Sequence, residues 1–181
     1  AKWNLLAPYA AKSDGGKNPQ AGLDYLSTLV RDHIKILPKS GREATSAFHQ
    51  GQGDVLISYE NEAIMLERKN SEATPAEQIE YVLPSTTFKI ENPVAVVNTS
   101  ADKKAAHSFV DFLYSPRGQE LWAQAGFRPV EPAAVAKTAH LFPGRIDTLW
   151  TVDDLGGWKT VDAELFGNDG AISKIYAQEA G

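Results

Sequence analysis

The sequence contains no cysteine. Disulfide scaffolds, thiolate zinc or iron–sulfur centres and a cysteine nucleophile are thereby excluded, while the redox compartment is left open. No apolar run approaches the ~18 residues that a membrane-crossing helix needs. Basic clusters are missing too. The densest basic spots are Lys103-Lys104 and Arg68-Lys69, and 18 Lys plus Arg stand against 23 Asp plus Glu, a net charge of −5. This balance argues against a duplex or an anionic membrane surface as partner, so no nucleic acid is expected. The four histidines, His33, His49, His107 and His140, follow no metal-ligand spacing, and no metal is expected. Gly156-Gly157-Trp158 and Gly167-Asn168-Asp169-Gly170 lack the pattern of a phosphate-binding loop and read as turns, and no G-x-S-x-G elbow occurs. No cofactor and no catalytic residue are expected.

What is present is an ordinary globular balance. The 181 residues are 43% hydrophobic and 23% charged, and a chain of this length buries roughly 70% of its unfolded surface on folding. Ala1-Lys2-Trp3-Asn4-Leu5-Leu6 reads as the inside of an amphipathic helix with no N-cap before it. That opening points to an excised piece, or to a chain whose targeting segment has been removed.

Helix and strand signals alternate. Lys12–Pro19 is a polar turn, and Gln20–Asp32 carries Leu23, Leu26, Leu29 and Val30 at helical spacing. Strands are expected at Ile34–Leu37, Asp54–Tyr59 (mostly buried) and Glu80–Leu83, with a long extended segment over Phe88–Val97. Pro93 places that segment at an edge, a bend or a crossing. Helices are expected over Ser40–Gln50, Glu60–Lys69 and Asp102–Tyr114, with a further one running from a Ser115 cap and Pro116 to Gln124. Asp102–Tyr114 presents Ala105, Ala106, Phe109, Phe112 and Leu113 on one face. Ser71–Glu77 is a polar loop, and the tail holds short helices around Trp158–Phe166 and Ile172–Gln178. The class is α/β, and its βα units imply an at least partly parallel sheet.

Two places attract attention as ligand sites. Ser40-Gly41-Arg42-Glu43 is a capping box that opens a helix directly after a strand signal. A helix start offers unpaired N–H donors and the positive end of the dipole to an anion. Gly41 lets a ligand approach the backbone, and Arg42 adds charge or orders the loop; the alternative is an ordinary cap. Ser58-Tyr59-Glu60-Asn61-Glu62 ends the next strand signal, where open α/β sheets hold their ligands. Tyr59 offers an O–H donor there. Glu60 and Glu62 are two positions apart, share no helix face and suit first-turn acids better than an acid–base pair. Trp3, Trp122, Trp150 and Trp158 come without a basic groove and fit a core better than a stacking platform.

The run Gly53-Asp54-Val55-Leu56-Ile57-Ser58-Tyr59-Glu60-Asn61-Glu62-Ala63 resembles the strand–helix signature of bacterial sulfate-binding proteins, the solute receptors of sulfate ABC importers. Three further blocks are similar to that family in the same order: Pro93-Val94-Ala95-Val96-Val97; Phe112 to Gln119 with Phe127-Arg128-Pro129; and Leu155-Gly156-Gly157-Trp158. The Phe-Arg-Pro block is shared with other type II binding proteins, including those for molybdate. The resemblance spans essentially this whole chain but only the latter half of the family protein. It implies a type II periplasmic-binding-protein-like α/β fold, a mixed, largely parallel sheet flanked by helices in a truncated bilobal architecture. Residues 1–86 would be the remainder of the second lobe, 87–140 the hinge crossing and the C-terminal part of the first, and 141–181 a C-terminal helical extension.

The resemblance also implies ligand residues. The backbone of the Ser40-Gly41-Arg42 turn matches an amide donor of the family. The turn is one residue shorter than the family's, so the donor is Gly41 or Arg42. Tyr59 falls where some members carry a Trp whose indole N–H donates to the anion. Neutral donors and helix ends hold a dianion without buried cations, so an acidic chain is no objection. The expected protein is an extracytoplasmic or periplasmic receptor that binds sulfate between two lobes and hands it to the membrane permease of an ABC importer. Its alternatives are a receptor for thiosulfate, molybdate or phosphate, and the effector domain of a LysR-type regulator, to which the Gly-Gly-Trp tail is foreign. An acid–base enzyme built on Glu60 or Glu62 has no partner residue in view. An apolar face left open by truncation would favour self-association.

Overall fold

The computed structural model of the chain describes residues 2–36, 38, 40–72, 74, 78–142 and 144–179, with Glu179 described through its backbone alone. The chain divides into two compact units: Ala1–Ser58 with Pro84–Ile90 and Ile146–Gly181, and Tyr59–Leu83 with Glu91–Arg145.

The first unit opens with α1, Lys2–Ser13, whose Leu5, Leu6, Tyr9 and Ala10 share one buried face. Asp14, Gly15 and Gly16 then take positive φ and reverse the chain, a conformation that costs glycine least. Gly15 is required for a second reason: a Cβ there would lie 2.3 Å from the Trp150 ring. The Ser13 hydroxyl accepts from Gly16 N at 2.9 Å and steadies the reversal. Asn18 caps α2, Pro19–Thr28, with Pro19 in its first turn, and the chain runs on through a π turn at Leu29–His33. Helix α3, Gly41–His49, follows.

The unit's sheet comprises β1, Thr86–Phe88, and a parallel partner strand, Thr148–Trp150, in the register Thr86↔Thr148, Thr87↔Leu149 and Phe88↔Trp150. Leu6, Leu26, Val161 and Ile172 are fully buried beside Phe88, and each such side chain contributes about 1.5–3 kcal/mol of burial. Trp3 packs against Phe88 and edge-on to Trp158, with ring centroids 5.3 and 4.8 Å away.

The second unit holds α4, Glu60–Asn70; α5, Lys103–Tyr114; α6, Pro116–Gln124; and α7, Pro132–Thr138. Asp102, Ser115 and Glu131 cap the last three, each with its side chain accepting from a backbone N–H three residues on. Helix α6 turns sharply off α5 because position 118 is glycine: a Cβ there would stand 2.1 Å from Phe112 O. Ile64, Ala123 and Phe142 form the core of this unit, with Tyr81 and Leu141 against them.

Returning to the first unit, the strand Thr148–Trp150 is β2, and α8 (Gly157–Val161) and α9 (Ala171–Glu179) complete it.

The helical expectations hold to within a residue or two, as does the parallel sheet. The strand expectations need correction. Among the described residues, 34–36, 54–59, 80–83 and 89–97 are in no strand, and Leu37 lies outside them. The predicted burial of Asp54–Tyr59 fails as well, since Val55 is 82% exposed. Apolar, β-branched residues set the propensity for a strand, but only a pairing backbone makes one. Helix α5 is formed, yet Phe109 and Phe112 of its apolar face are exposed and it contributes no buried residue. Residues 73 and 75–77 of the expected Ser71–Glu77 loop lie outside the described residues. Strand β2 carried no clear signal, being three residues of tail. Trp3 and Trp150 are partly buried and pack against the core, whereas Trp122 and Trp158 are 40% exposed.

Candidate functional site

The two candidate ligand positions fall in different units: Ser40, Gly41 and Arg42 in the first and Tyr59 in the second.

At the start of α3 the expected cap forms. Ser40 has extended backbone angles, and its Oγ accepts from Glu43 N at 3.2 Å while its carbonyl accepts from Ala44 N at 3.1 Å. Because the side chain occupies the third N–H of the helix, the amides of Gly41 and Arg42 are the ones an N-capped helix leaves for an outside acceptor. Ser40 and Arg42 are exposed and Gly41 half-buried. No side chain of α3 is buried.

Tyr59 is the N-cap residue of α4, in extended conformation and with no side-chain capping bond. Its carbonyl accepts from Ala63 N at 3.0 Å. Burial pushes the phenol above its ordinary value, and the Glu62 carboxylate pushes it further the same way. At neutral pH Tyr59 is therefore a neutral O–H, a donor of the kind an anion needs.

Glu60, next along the chain, is bonded through both oxygens. Arg128 Nε donates to its Oε2 and Arg128 Nη2 to its Oε1, both at 2.7 Å. Such two-pronged geometry is the strongest form of the ion pair. The Arg128 guanidinium carbon also lies 5.1 Å from the centre of the Phe142 ring. Glu60 and Arg128 stand 68 positions apart in the chain, and no spacing rule connects them. The sequence singled out Phe127-Arg128-Pro129 as a block without assigning Arg128 a partner, and the only local clue was a lone Arg in an otherwise apolar turn.

A second missed contact lies in the first unit. Asn4 Nδ2 of α1 donates to Ile57 O at 2.8 Å and fastens the extended 54–58 segment to that helix. His107 is exposed, and no group of His, Asp and Glu suited to a metal ion occurs among the described residues. Among them, too, no helix is long and apolar enough to cross a membrane.

Both places are helix starts, one capped by its own serine and one braced by a distant arginine. The profile of the bacterial extracellular solute-binding proteins matches residues 7–128, and the chain belongs to that family. Among its relatives, the sulfate-binding protein of Synechococcus elongatus is 37% identical over all of this chain and 51% of its own length. The solved structure of the sulfate-binding protein SubI from Mycobacterium tuberculosis H37Rv is 59% identical, with a TM-score of 0.80 over 92% of this chain and 56% of that one. A thiosulfate-binding protein of Pseudomonas aeruginosa is 33% identical over 93% of this chain and 50% of its own length. The chain thus spans about half the length of the curated relatives it matches. These three relatives are anion-binding proteins.

Proposed function

We propose that this chain is part of an extracytoplasmic, non-enzymatic receptor for sulfate that delivers the anion to the membrane permease of an ABC importer. The observation that carries this reading is the 59% identity to a sulfate-binding protein of known structure over 92% of the chain. In this reading the backbone N–H of Gly41 or Arg42, beside the Ser40 cap, is one anion donor and the phenol of Tyr59 is another. The half of the relatives that this chain does not match supplies the remaining donors. The lobe assignment of 1–86, 87–140 and 141–181 belongs to the same proposal.

The chemistry is consistent. Sulfate carries no proton near pH 7, so a site made only of donors suits it, and helix starts stabilise its charge without a buried cation. Glu60, the acceptor that would have favoured a protonated phosphate, has both carboxylate oxygens bonded to Arg128. The exposed Phe109 and Phe112 of α5 give the chain on its own an apolar surface suited to self-association.

Calorimetric titration of the full-length gene product with sulfate, thiosulfate, molybdate and phosphate tests the reading. The expected result is sulfate binding at about micromolar affinity or better, ~8 kcal/mol. Tyr59→Phe should weaken it about tenfold, the effect of losing one hydrogen bond to a charged ligand. Preference for thiosulfate would move the protein to that branch of its relatives. No heat with any of the four anions would overturn the proposal.

A further inference from the structure

The chain from the last residue of α6 towards α7 meets α4 at three points. Gln124 O accepts from Arg68 Nη1 at 2.8 Å near the end of the helix. Gly126, at φ +86°, packs on the backbone of Asn61 so closely that a Cβ would lie 2.9 Å from Asn61 Cα. Arg128 grips Glu60 with two bonds of 2.7 Å. The side chains of the pair are 22% exposed for Glu60 and 41% for Arg128. The Tyr81 hydroxyl, near enough to feel both charges, is buried and makes no hydrogen bond among the described residues. Two of these three contacts fall on the first two residues of α4 after Tyr59. A helix start whose own N-cap supplies no side-chain bond is thereby held from outside.

From this geometry we propose that Arg128 is a positioning and specificity-determining residue. It fixes the first turn of α4, and with it Tyr59, and it weakens the Glu60 carboxylate as a proton acceptor. The inference rests on the sulfate reading and adds to it the basis of discrimination. A carboxylate one residue from the Tyr59 donor repels a dianion and welcomes a protonated oxyanion, because the proton of the latter needs an acceptor. Once each of its oxygens is bonded to a guanidinium, Glu60 is a weaker acceptor and its charge is offset at contact distance. The result favours a fully deprotonated anion over one that carries a proton. Only arginine does this job: a lysine would supply charge without the planar fork.

The test compares wild type, Arg128→Gln and Glu60→Gln in the full-length gene product. Amide exchange at Ala63 is read without ligand, and sulfate and phosphate affinity are read by calorimetry. Val135 N, bonded to Glu131 O in α7 at 2.9 Å, serves as the internal reference for folding. In Arg128→Gln, Ala63 is expected to exchange about tenfold faster than in wild type, with Val135 unchanged, as a local opening requires. Sulfate affinity should fall about tenfold while phosphate affinity holds or rises, so selectivity drops. Glu60→Gln keeps a neutral acceptor for Arg128 and removes the carboxylate, so it should loosen Ala63 less and leave phosphate rejected. It also serves if Arg128→Gln does not fold.

Unchanged exchange at Ala63 in a folded Arg128→Gln protein would overturn the brace, whatever the anions do. Looser exchange with unaltered sulfate-to-phosphate selectivity would overturn the specificity role. A wild type that binds no sulfate would sink the functional reading and the specificity role with it, while the Ala63 comparison would still decide the brace.

Discussion

At Ser40 the chain caps its helix with its own hydroxyl, whereas at Tyr59 it gives the helix no cap of its own and relies on a guanidinium 68 positions beyond Glu60. The first start is local and readable: one residue, one bond to Glu43 N, and a helix of which no side chain is buried. The second is tertiary. Its helix buries Ile64 and Leu66, with Ile64 packed on Ala123 and Phe142, and its first turn is clamped by Arg128 and Gly126. Both starts carry a proposed anion donor. The difference teaches that donor position at α3 depends on backbone propensity, and at α4 on the packing of a distant loop.

The sharpest way to break that comparison is through the core beneath α4. Ile64 is 2% exposed, and Ile64→Ala should cost the protein about 3 kcal/mol, the usual result of deleting a buried aliphatic group. Phe48→Ala in α3, a helix with no buried side chain, should cost under ~1 kcal/mol. Chemical denaturation of the two variants checks this. Similar losses would show that α3 has a packing partner of its own and that the two helix starts differ less than their contacts indicate.

The same contrast explains what was legible. The Ser40 cap, the Ser115-Pro116 start and the Asp102 start are all local, fixed by a polar side chain reaching three residues along, and all were readable from spacing. The strands were not. Val55, Ile57, Val82, Val94 and Val97 are exposed, because strand propensity records only that a residue would suit a paired, half-buried position. The pairing of Thr86–Phe88 with Thr148–Trp150 joins residues some sixty positions apart, and no local pattern announces it. Tyr59 emerged from its place at the end of a strand signal and from the resemblance around it. Arg128 stood inside a noted block, but its partner is set by the fold alone.

Alkaline pH offers a middle-sized test that touches one start and spares the other. Burial raises the phenols of Tyr9, Tyr59, Tyr81 and Tyr176 above their ordinary value, with Glu164, Glu62 and Glu60 adding to the shift at the first three. A raised acid keeps its proton in the folded protein after the unfolded chain has released it. Its contribution is fully present below the ordinary tyrosine value of about 10 and is lost as pH rises from there through the folded value. Denaturation midpoints should therefore be flat on the neutral side and fall above about pH 10. Tyr81→Phe should shallow that fall, because it removes a group that the alkaline unfolded chain ionises. The start of α3 holds no tyrosine, so substitutions there should leave the alkaline limb unchanged.

The smallest expected effect is the most diagnostic of how α3 works. Ser40→Ala removes the oxygen that accepts from Glu43 N, a loss of about 1 kcal/mol to a helix end. Since no side chain of α3 is buried, that loss should appear as local opening rather than in the global midpoint, with Ala44, bonded to Ser40 O, exchanging several-fold faster. Sulfate affinity should fall with it, because the amides of Gly41 and Arg42 keep their direction only while the first turn is formed. Ser40→Asp separates cap from charge. Aspartate caps as well as serine, so Ala44 protection should survive, yet its carboxylate would stand beside the donors and repel a dianion. Restored protection with sulfate binding still lost would place the anion at this helix start. Restored protection with wild-type sulfate affinity would remove Gly41 and Arg42 from the site and leave Tyr59 as the one donor this chain contributes.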